Sequence, residues 1–189
     1  MNIYDFDETI FYPNSAWAFG SWCWRRHLPR TLLAIPQIIW AAIELLFGRI
    51  SMITFIIRTF CFMRYVPHPE RDIAEFWDKH EGNICDWYLK QKSPDDVIVS
   101  ATPDFLINEI GRRLGVRVIA SKVDLKTGKL LGPVCADDEK VHRIKAEYPD
   151  SVIKEAYSDS LVDAPMVGLA EKAYMVVDKG QRVIPWPGK

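Results

Sequence analysis

Asp5-Phe6-Asp7-Glu8-Thr9 carries two carboxylates two residues apart, directly after the short apolar run Ile3-Tyr4. In extended backbone, residues i and i+2 project to the same side. Carboxylates so close repel, and both ionise readily only with a cation or a proton between them. A hard divalent cation such as Mg2+ meets that need and also bridges to phosphate oxygens. Three other places hold residue types of matching chemistry. In Val97-Ile98-Val99-Ser100-Ala101-Thr102-Pro103 a hydroxyl ends a buried run just before a helix begins, where it and the helix N–H groups suit an anion. Lys140 falls in the first turn of a predicted helix, which the helix dipole disfavours, so a phosphate-neutralising role suits it. In Ala156-Tyr157-Ser158-Asp159-Ser160-Leu161-Val162-Asp163, two acids four residues apart follow another apolar run. Asp159 there suits a metal ligand, and Asp163 suits orienting the lysine or a metal-bound water. Singly, each has an ordinary structural alternative: an acidic turn, an N-cap, a solvated lysine.

These residues must be positioned by strands and helices that the pattern also predicts. Ile3 to Phe6 reads as a strand, as do 97–99, 116–120, 152–157 and 173–177. Between them 103–114, 138–148 and 162–171 read as helices, and Lys126-Thr127-Gly128-Lys129 as the turn of a hairpin within 121–134. Strands alternating with helices predict an α/β fold with a parallel sheet covered on both faces. Residues 11–95 interrupt that alternation. In 31–63, 23 of 33 residues are apolar, which predicts helices broken near Pro36 and Gly48. Residues 70–92 read as one amphipathic helix closed by Ser93-Pro94.

Composition limits the functional classes. At 189 residues, with 49% hydrophobic and 26% charged, the chain has room for a core without disulfide or metal staples. Lys+Arg 24 against Asp+Glu 25 gives a net charge of −1, which argues against a nucleic-acid partner. Cys23, Cys61, Cys85 and Cys135 have no CxxC spacing, and the four histidines lie at no ligand spacing, which predicts free thiols and no zinc site. Met1-Asn2-Ile3-Tyr4 runs straight into acidic sequence with no basic segment before an apolar one, so a cytoplasmic location is expected. The longest uncharged run, Thr9 to Trp24, is sixteen residues and contains Pro13 and Gly20. A spanning helix needs about 20 apolar residues, so none is expected.

The ordered set Asp5-x-Asp7-x-Thr9, Ser100, Lys140 and Asp159-Ser160-x-x-Asp163, with the hairpin Lys126-Thr127-Gly128-Lys129-Leu130 and the context Asp138-Glu139-Lys140-Val141, resembles the haloacid dehalogenase-like superfamily. The resemblance is to its phosphoserine-phosphatase-like branch, and it covers essentially the whole predicted sheet unit. The resemblance implies a Rossmann-like, doubly wound parallel sheet at 1–10 and 96–189, with an all-helical cap inserted at 11–95. It also implies a Mg2+-dependent phosphatase. Asp5 would be the nucleophile that forms an aspartyl-phosphate, and Asp7 the acid and then the base. Thr9, Ser100, Ala101 and Lys140 would hold the phosphoryl group. Asp5, the backbone carbonyl of Asp7, and Asp159 would ligate the metal, with Asp163 supporting. A dehalogenase of the superfamily needs neither the second aspartate nor a metal, which disfavours that activity. Two departures stand out. Glu8 replaces a frequent glycine. Asn14-Ser15 replaces an acid followed by serine, which points away from phosphoserine as substrate.

Residues 11–66 hold 12 of the 23 aromatic residues, six arginines and one acid, a net +5. Three uses fit: a helical core of the cap itself, a peripheral membrane contact that admits a lipid phosphate, or a dimer interface. For the membrane, Trp17, Trp22, Trp24 and Trp40 would lie at the interface with Arg25, Arg26 and Arg30 toward anionic lipid at its inner face. The likeness to bacterial phosphatidylglycerophosphate phosphatases of the same branch supports this use. Asn14, Arg25 and Arg26 are the expected substrate-selecting residues of the cap. Two rival functions fit the same motifs: a phosphotransferase of this fold, and a non-catalytic, membrane-peripheral binding module.

Overall fold

Apolar runs such as Val97-Ile98-Val99 have no polar alternation and need cover on both faces. A computed structural model of the chain describes residues 1–188; Lys189, the last residue of the expected sheet unit, lies outside them. Strands β1 (Asn2–Tyr4), β2 (Val97–Pro103), β3 (Arg117–Ser121), β4 (Glu155–Ser158), β5 (Lys172–Val177) and β6 (Arg182–Pro185) form one sheet in the order β3-β2-β1-β4-β5-β6. Only β5 and β6 pair antiparallel. The chain runs from β1 outward to β2 and β3, then returns to the far side of β1 for β4. Strand order therefore reverses between β1 and β4, which leaves a crevice at their carboxyl ends.

Six helices lie between β1 and β2: α1 (Ser15–Arg26), α2 (Leu28–Thr31), α3 (Ile35–Leu46), α4 (Met52–Arg58), α5 (Pro69–His80) and α6 (Asp86–Gln91). The helix α7 (Asp104–Leu114) joins β2 to β3, α8 (Asp138–Glu147) joins β3 to β4, and α9 (Ala164–Val167) joins β4 to β5. One sheet face, with Ile3, Val97, Val99, Ile119 and Ala156, packs on Ile144, Met166 and Val167 of α8 and α9. The other, with Tyr4, Ile98 and Tyr157, packs on α7 and on Phe19, Phe76, Trp77 and Tyr88 of α1, α5 and α6. On that face Tyr4, Tyr157 and Tyr174 sit in register on β1, β4 and β5, with ring centroids 4.8 and 4.9 Å apart. Such stacked cross-strand pairs hold the central register. The fully buried Trp77 ties the insertion to the sheet unit: its indole N–H donates to the Leu106 carbonyl at 2.9 Å.

The structure departs from the sequence expectations in identifiable places. The stretch 70–92 is two helices, because the chain turns at 81–83 and Ile84 leaves to bridge Phe11. The stretch 162–171 shortens to a 3-10 turn, Leu161–Asp163, followed by α9. The antiparallel edge strand β6 was not predicted. The turn before it, Asp178-Lys179-Gly180, has positive φ at all three residues, a hairpin signal visible in the sequence. One helical stretch, Leu28–Leu46, is long and apolar enough by length and composition to cross a membrane, and 17% of its 18-residue window is buried. An uncharged-run criterion misses it because Arg30 and Glu44 lie near its ends.

Two glycines test how the hairpin meets the insertion. Gly115 ends α7 at φ +70 with nothing within 4 Å of where a Cβ would stand, whereas a Cβ on Gly128, at φ +66, would meet the Phe60 carbonyl oxygen at 1.8 Å. Gly115→Ala should cost about 1 kcal/mol, the penalty of a left-handed alanine. Gly128→Ala should cost roughly 1–3 kcal/mol more, since backbone must shift. Urea unfolding of the two variants checks the difference; equal costs would contradict this packing.

Candidate active site

The site forms where β1, β2 and β4 end. Asp5 follows β1 and is fixed by its backbone N–H, which donates to the Tyr157 carbonyl at 2.9 Å. Its side chain is buried, with Oδ1 2.6 Å from Lys140 Nζ. That ammonium, in the first turn of α8, also lies 2.8 Å from Asp163 Oδ1. Asp163 Oδ2 accepts in addition from the Ser158 hydroxyl at 2.7 Å. Burial disfavours the lysine's charge, but the two carboxylates outweigh it and hold its pKa above the usual lysine range. For Asp5, burial raises the pKa first, Lys140 opposes this, and the charges of Asp163 and Asp159 add to the rise.

Thr9 links β1 to β4. Its Oγ1 lies 3.2 Å from Asp5 Oδ2 and 3.0 Å from Asp159 Oδ1, and it accepts the Asp159 backbone N–H at 3.0 Å. One hydroxyl proton serves only one of those carboxylates at a time. Asp159 is pushed up by burial, opposed by Thr9 and assisted by the Glu8 and Asp163 charges. Asp7 is held from two sides: the Ser15 N–H at the start of α1 donates to Oδ1, and the Thr102 hydroxyl donates to Oδ2 at 2.6 Å. Burial raises its pKa, and these bonds oppose the rise. Between Asp7 and Thr9, Glu8 has φ 63, a conformation glycine adopts without steric cost. The departure at residue 8 thus leaves the loop geometry of a glycine in place. Ser100 is buried, and its Oγ accepts the Thr102 N–H at 3.1 Å beside a register shift of β2.

Asp5, Asp7, Asn14, Ser100, Ala101, Lys140, Asp159 and Asp163 line one cavity of about 350 Å3, and Thr9 is bonded to two of them. Ala16, Ile53, Ile56 and Ile57 close its other side. Asn14 spends its side-chain oxygen on capping α1, accepting the Trp17 N–H at 3.2 Å. Arg25 and Arg26 do not reach the cavity, which corrects their expected role. They end a twelve-residue helix that begins at the cavity, about 18 Å of axis away. Arg26 is instead paired with Asp72 at 3.2 Å and with Glu75. Trp22 packs on Phe76, His80 and Lys79, and Trp24 on Phe62, so both are half-buried. Trp17 and Trp40 are each 60% exposed. Sequence reasoning missed Thr102 and Ser158. The signal was their spacing, Ser100-x-Thr102 and Ser158-Asp159, at the ends of strands already assigned to the site.

The charge set asks for a cation. Six carboxylates, Asp5, Asp7, Glu8, Asp137, Asp159 and Asp163, line the cavity with one ammonium, an imbalance that a low-dielectric pocket tolerates poorly. Among the described residues no group of three or more acidic, His or Cys side chains is gathered at metal-ligand spacing. Mg2+ commonly uses one or two carboxylates together with waters and phosphate oxygens, and Asp5 with Asp159 fits that smaller set. All four cysteines are free thiols.

Residues 3–167 match the family model of haloacid dehalogenase-like hydrolases. The chain belongs to this family. A structure of a protein with unknown function from Bordetella pertussis Tohama I shares 16% identity at a TM-score of 0.75, covering 100% of this chain and 91% of that one. A phosphoserine phosphohydrolase-like protein from Francisella tularensis subsp. tularensis SCHU S4 shares 18% at 0.55, covering 95% and 88%. A phospho-aspartyl intermediate analogue of a phosphoserine phosphatase shares 16% at 0.54, covering 90% and 83%. At these identities the likeness is one of fold. No curated protein matches the sequence.

Removing the ammonium should expose the cost of this cluster. Lys140→Met leaves Asp5 and Asp163 buried without their counter-charge and should destabilise the protein by about 3–5 kcal/mol in urea unfolding without added metal. A loss below about 1 kcal/mol would show that the pair is solvated and the cavity open.

Proposed function

We propose that this hydrolase is a Mg2+-dependent phosphomonoester phosphatase that works through an aspartyl-phosphate on Asp5. The observation that carries this reading is the convergence of Asp5, Asp7, Lys140, Asp159 and Asp163 on one cavity at the strand-order reversal. An Asp5 oxygen attacks phosphorus while the bond from phosphorus to the ester oxygen breaks. Asp7, whose raised pKa favours the protonated acid, gives its proton to the departing oxygen. Asp7 then takes a proton from the water that attacks phosphorus, which frees orthophosphate and restores the Asp5 carboxylate. Lys140, 2.6 Å from Asp5, opposes the burial-driven rise of the Asp5 pKa and, with Ser100 and Ala101, faces the phosphoryl oxygens. Bound by Asp5, Asp159 and the Asp7 carbonyl, Mg2+ supplies neutralising charge to those oxygens.

The substrate in this reading is a lipid phosphate met at the inner face of a membrane, and the leaving group is its lipid alcohol. Support comes from the isoleucine-lined roof and from the exposed apolar helices beside it. Leu33, Ile39, Trp40, Leu46 and Phe47 are all exposed on the 28–47 stretch. Arg30, near the start of that stretch, and Arg49, just beyond its end, suit anionic headgroups. The sequence resemblance brings phosphatidylglycerophosphate among the lipids to try, although the phosphodiester anion of its leaving group has no cation beyond Lys140 to meet among the described residues lining the cavity and would have to find one at Arg30 or Arg49.

Asp5→Asn should lower turnover of p-nitrophenyl phosphate by on the order of a thousandfold or more with the thermal transition retained, and EDTA should silence the wild type until Mg2+ returns. Turnover by the variant, or in EDTA, would refute the nucleophile or the metal. The membrane contact predicts flotation with vesicles rich in anionic lipid, weakened by the double change Ile39→Glu and Leu46→Glu. Absence of flotation at low salt would remove the bilayer from this account.

A further inference from the structure

A second cavity, of about 330 Å3, lies between α1 and the α3–α4 pair. Its walls are almost wholly apolar, with Trp17, Gly20, Trp24, Ile38, Phe55 and Phe60 the main contributors. Two of its residues, Ala16 and Ile56, also line the catalytic cavity, so the two spaces share a wall. Resting on the phosphatase reading, we infer that this groove holds the hydrocarbon chain of the phosphomonoester whose phosphate rests at Asp5.

The first argument is continuity with the reacting atoms. Ala16 follows Ser15, whose N–H donates to Asp7, the group that protonates the departing oxygen. A chain attached to that oxygen therefore leaves the catalytic cavity past Ala16. The second argument is the absence of competing recognition. Among the described residues lining the catalytic cavity, the cation is Lys140, and Asp5 and Asp163 already hold it. An anionic leaving group finds no partner there, while Ile53, Ile56 and Ile57 offer cover to an apolar one.

The third argument is Gly20. Glycine is the poorest interior helix residue after proline, yet it stands midway along α1. A Cβ at this position would meet nothing within 4 Å, so the open space beside the helix is the groove itself. Any larger side chain would project into it. The groove's volume sets the length it accepts. At about 30 Å3 per methylene, close to the volume a water takes in the liquid, it holds roughly ten carbons. Its outer end lies by Trp17 and Trp24, and Trp17 is exposed beside the apolar α2–α3 surface.

Monoalkyl phosphates from butyl to tetradecyl, assayed below their micelle concentrations with Mg2+, read this directly and need no bilayer. In the wild type, kcat/KM should rise about fourfold per methylene, about 250-fold from butyl to octyl, and level off near ten carbons. Gly20→Phe should flatten the rise, and Phe55→Ala should move the plateau to longer chains. A flat wild-type profile with butyl phosphate still hydrolysed overturns the groove and leaves the phosphatase reading standing. A steep profile that neither variant alters also overturns it. Failure to hydrolyse butyl or aryl phosphate overturns the phosphatase reading itself. Should Gly20→Phe not fold, the wild-type profile and Phe55→Ala decide the matter.

Discussion

A buried ammonium gripped by two buried carboxylates sets the terms for the rest of this molecule. Lys140 comes from the first turn of α8, Asp5 from the end of β1 and Asp163 from the turn before α9, and they meet with N–O distances of 2.6 and 2.8 Å. Dehydrating these charges costs several kcal/mol per ion, and an apolar trio of the same volume would spare that cost. The cluster is therefore a poor device for stability. It is a good device for holding one carboxylate oxygen of Asp5 in place while keeping positive charge beside it. Everything that the sheet does serves that meeting. The reversal of strand order puts β1 next to β4, and Thr9 joins the ends of the two strands through a single hydroxyl.

Asp5, Asp7, Ser100 and Asp159 were legible in the sequence because they follow short apolar runs, Lys140 because it falls in the first turn of a predicted helix, and Asp163 because it lies four residues after Asp159. Asp5, Asp7, Ser100, Lys140, Asp159 and Asp163 all lie where that reading put them, around one cavity. What was not legible is what depends on partners far along the chain. Thr102 binds Asp7 across 95 residues; its spacing from Ser100 hinted at the site, but its partner could not be read from the local sequence. Arg25 and Arg26 were expected at the substrate because they are basic and belong to the insertion. Composition says nothing of direction along a helix, and α1 starts at the cavity and carries them away. The edge strand β6 escaped because its run Arg182–Pro185 is short and ends in proline, and its meaning depends on the turn before it.

The helical insertion is divided in its loyalties. α1, α5 and α6 contribute Phe19, Phe76, Trp77 and Tyr88 to the same core as Tyr4 and Ile98, so they are packed as firmly as the sheet. The 28–47 stretch contributes little to any core and leaves Leu46 84% and Phe47 75% exposed. An exposed apolar surface of this extent is uncommon on a protein with no partner for it. Between these two parts lies α4, whose Ile53, Ile56 and Ile57 line the same cavity as Asp5, Ser100 and Lys140.

That placement makes a site of two phases, and the division bears on selectivity. The floor is charged: carboxylates, an ammonium and hydroxyls at strand ends. The roof is hydrocarbon. A phosphate ester with a polar leaving group would have to give up hydration on entering and would recover little of it from isoleucine. An ester with an alkyl leaving group gains from the same surface, and its burial excludes water from the floor. Charge interactions among Asp5, Lys140 and a phosphoryl group strengthen as that water leaves. Selection and catalysis are thereby coupled. On the proposed reading, the substrate whose tail best fills the apolar side would also best desolvate the polar side, and chain length would reach the chemical step without any residue that reads it by hydrogen bonding.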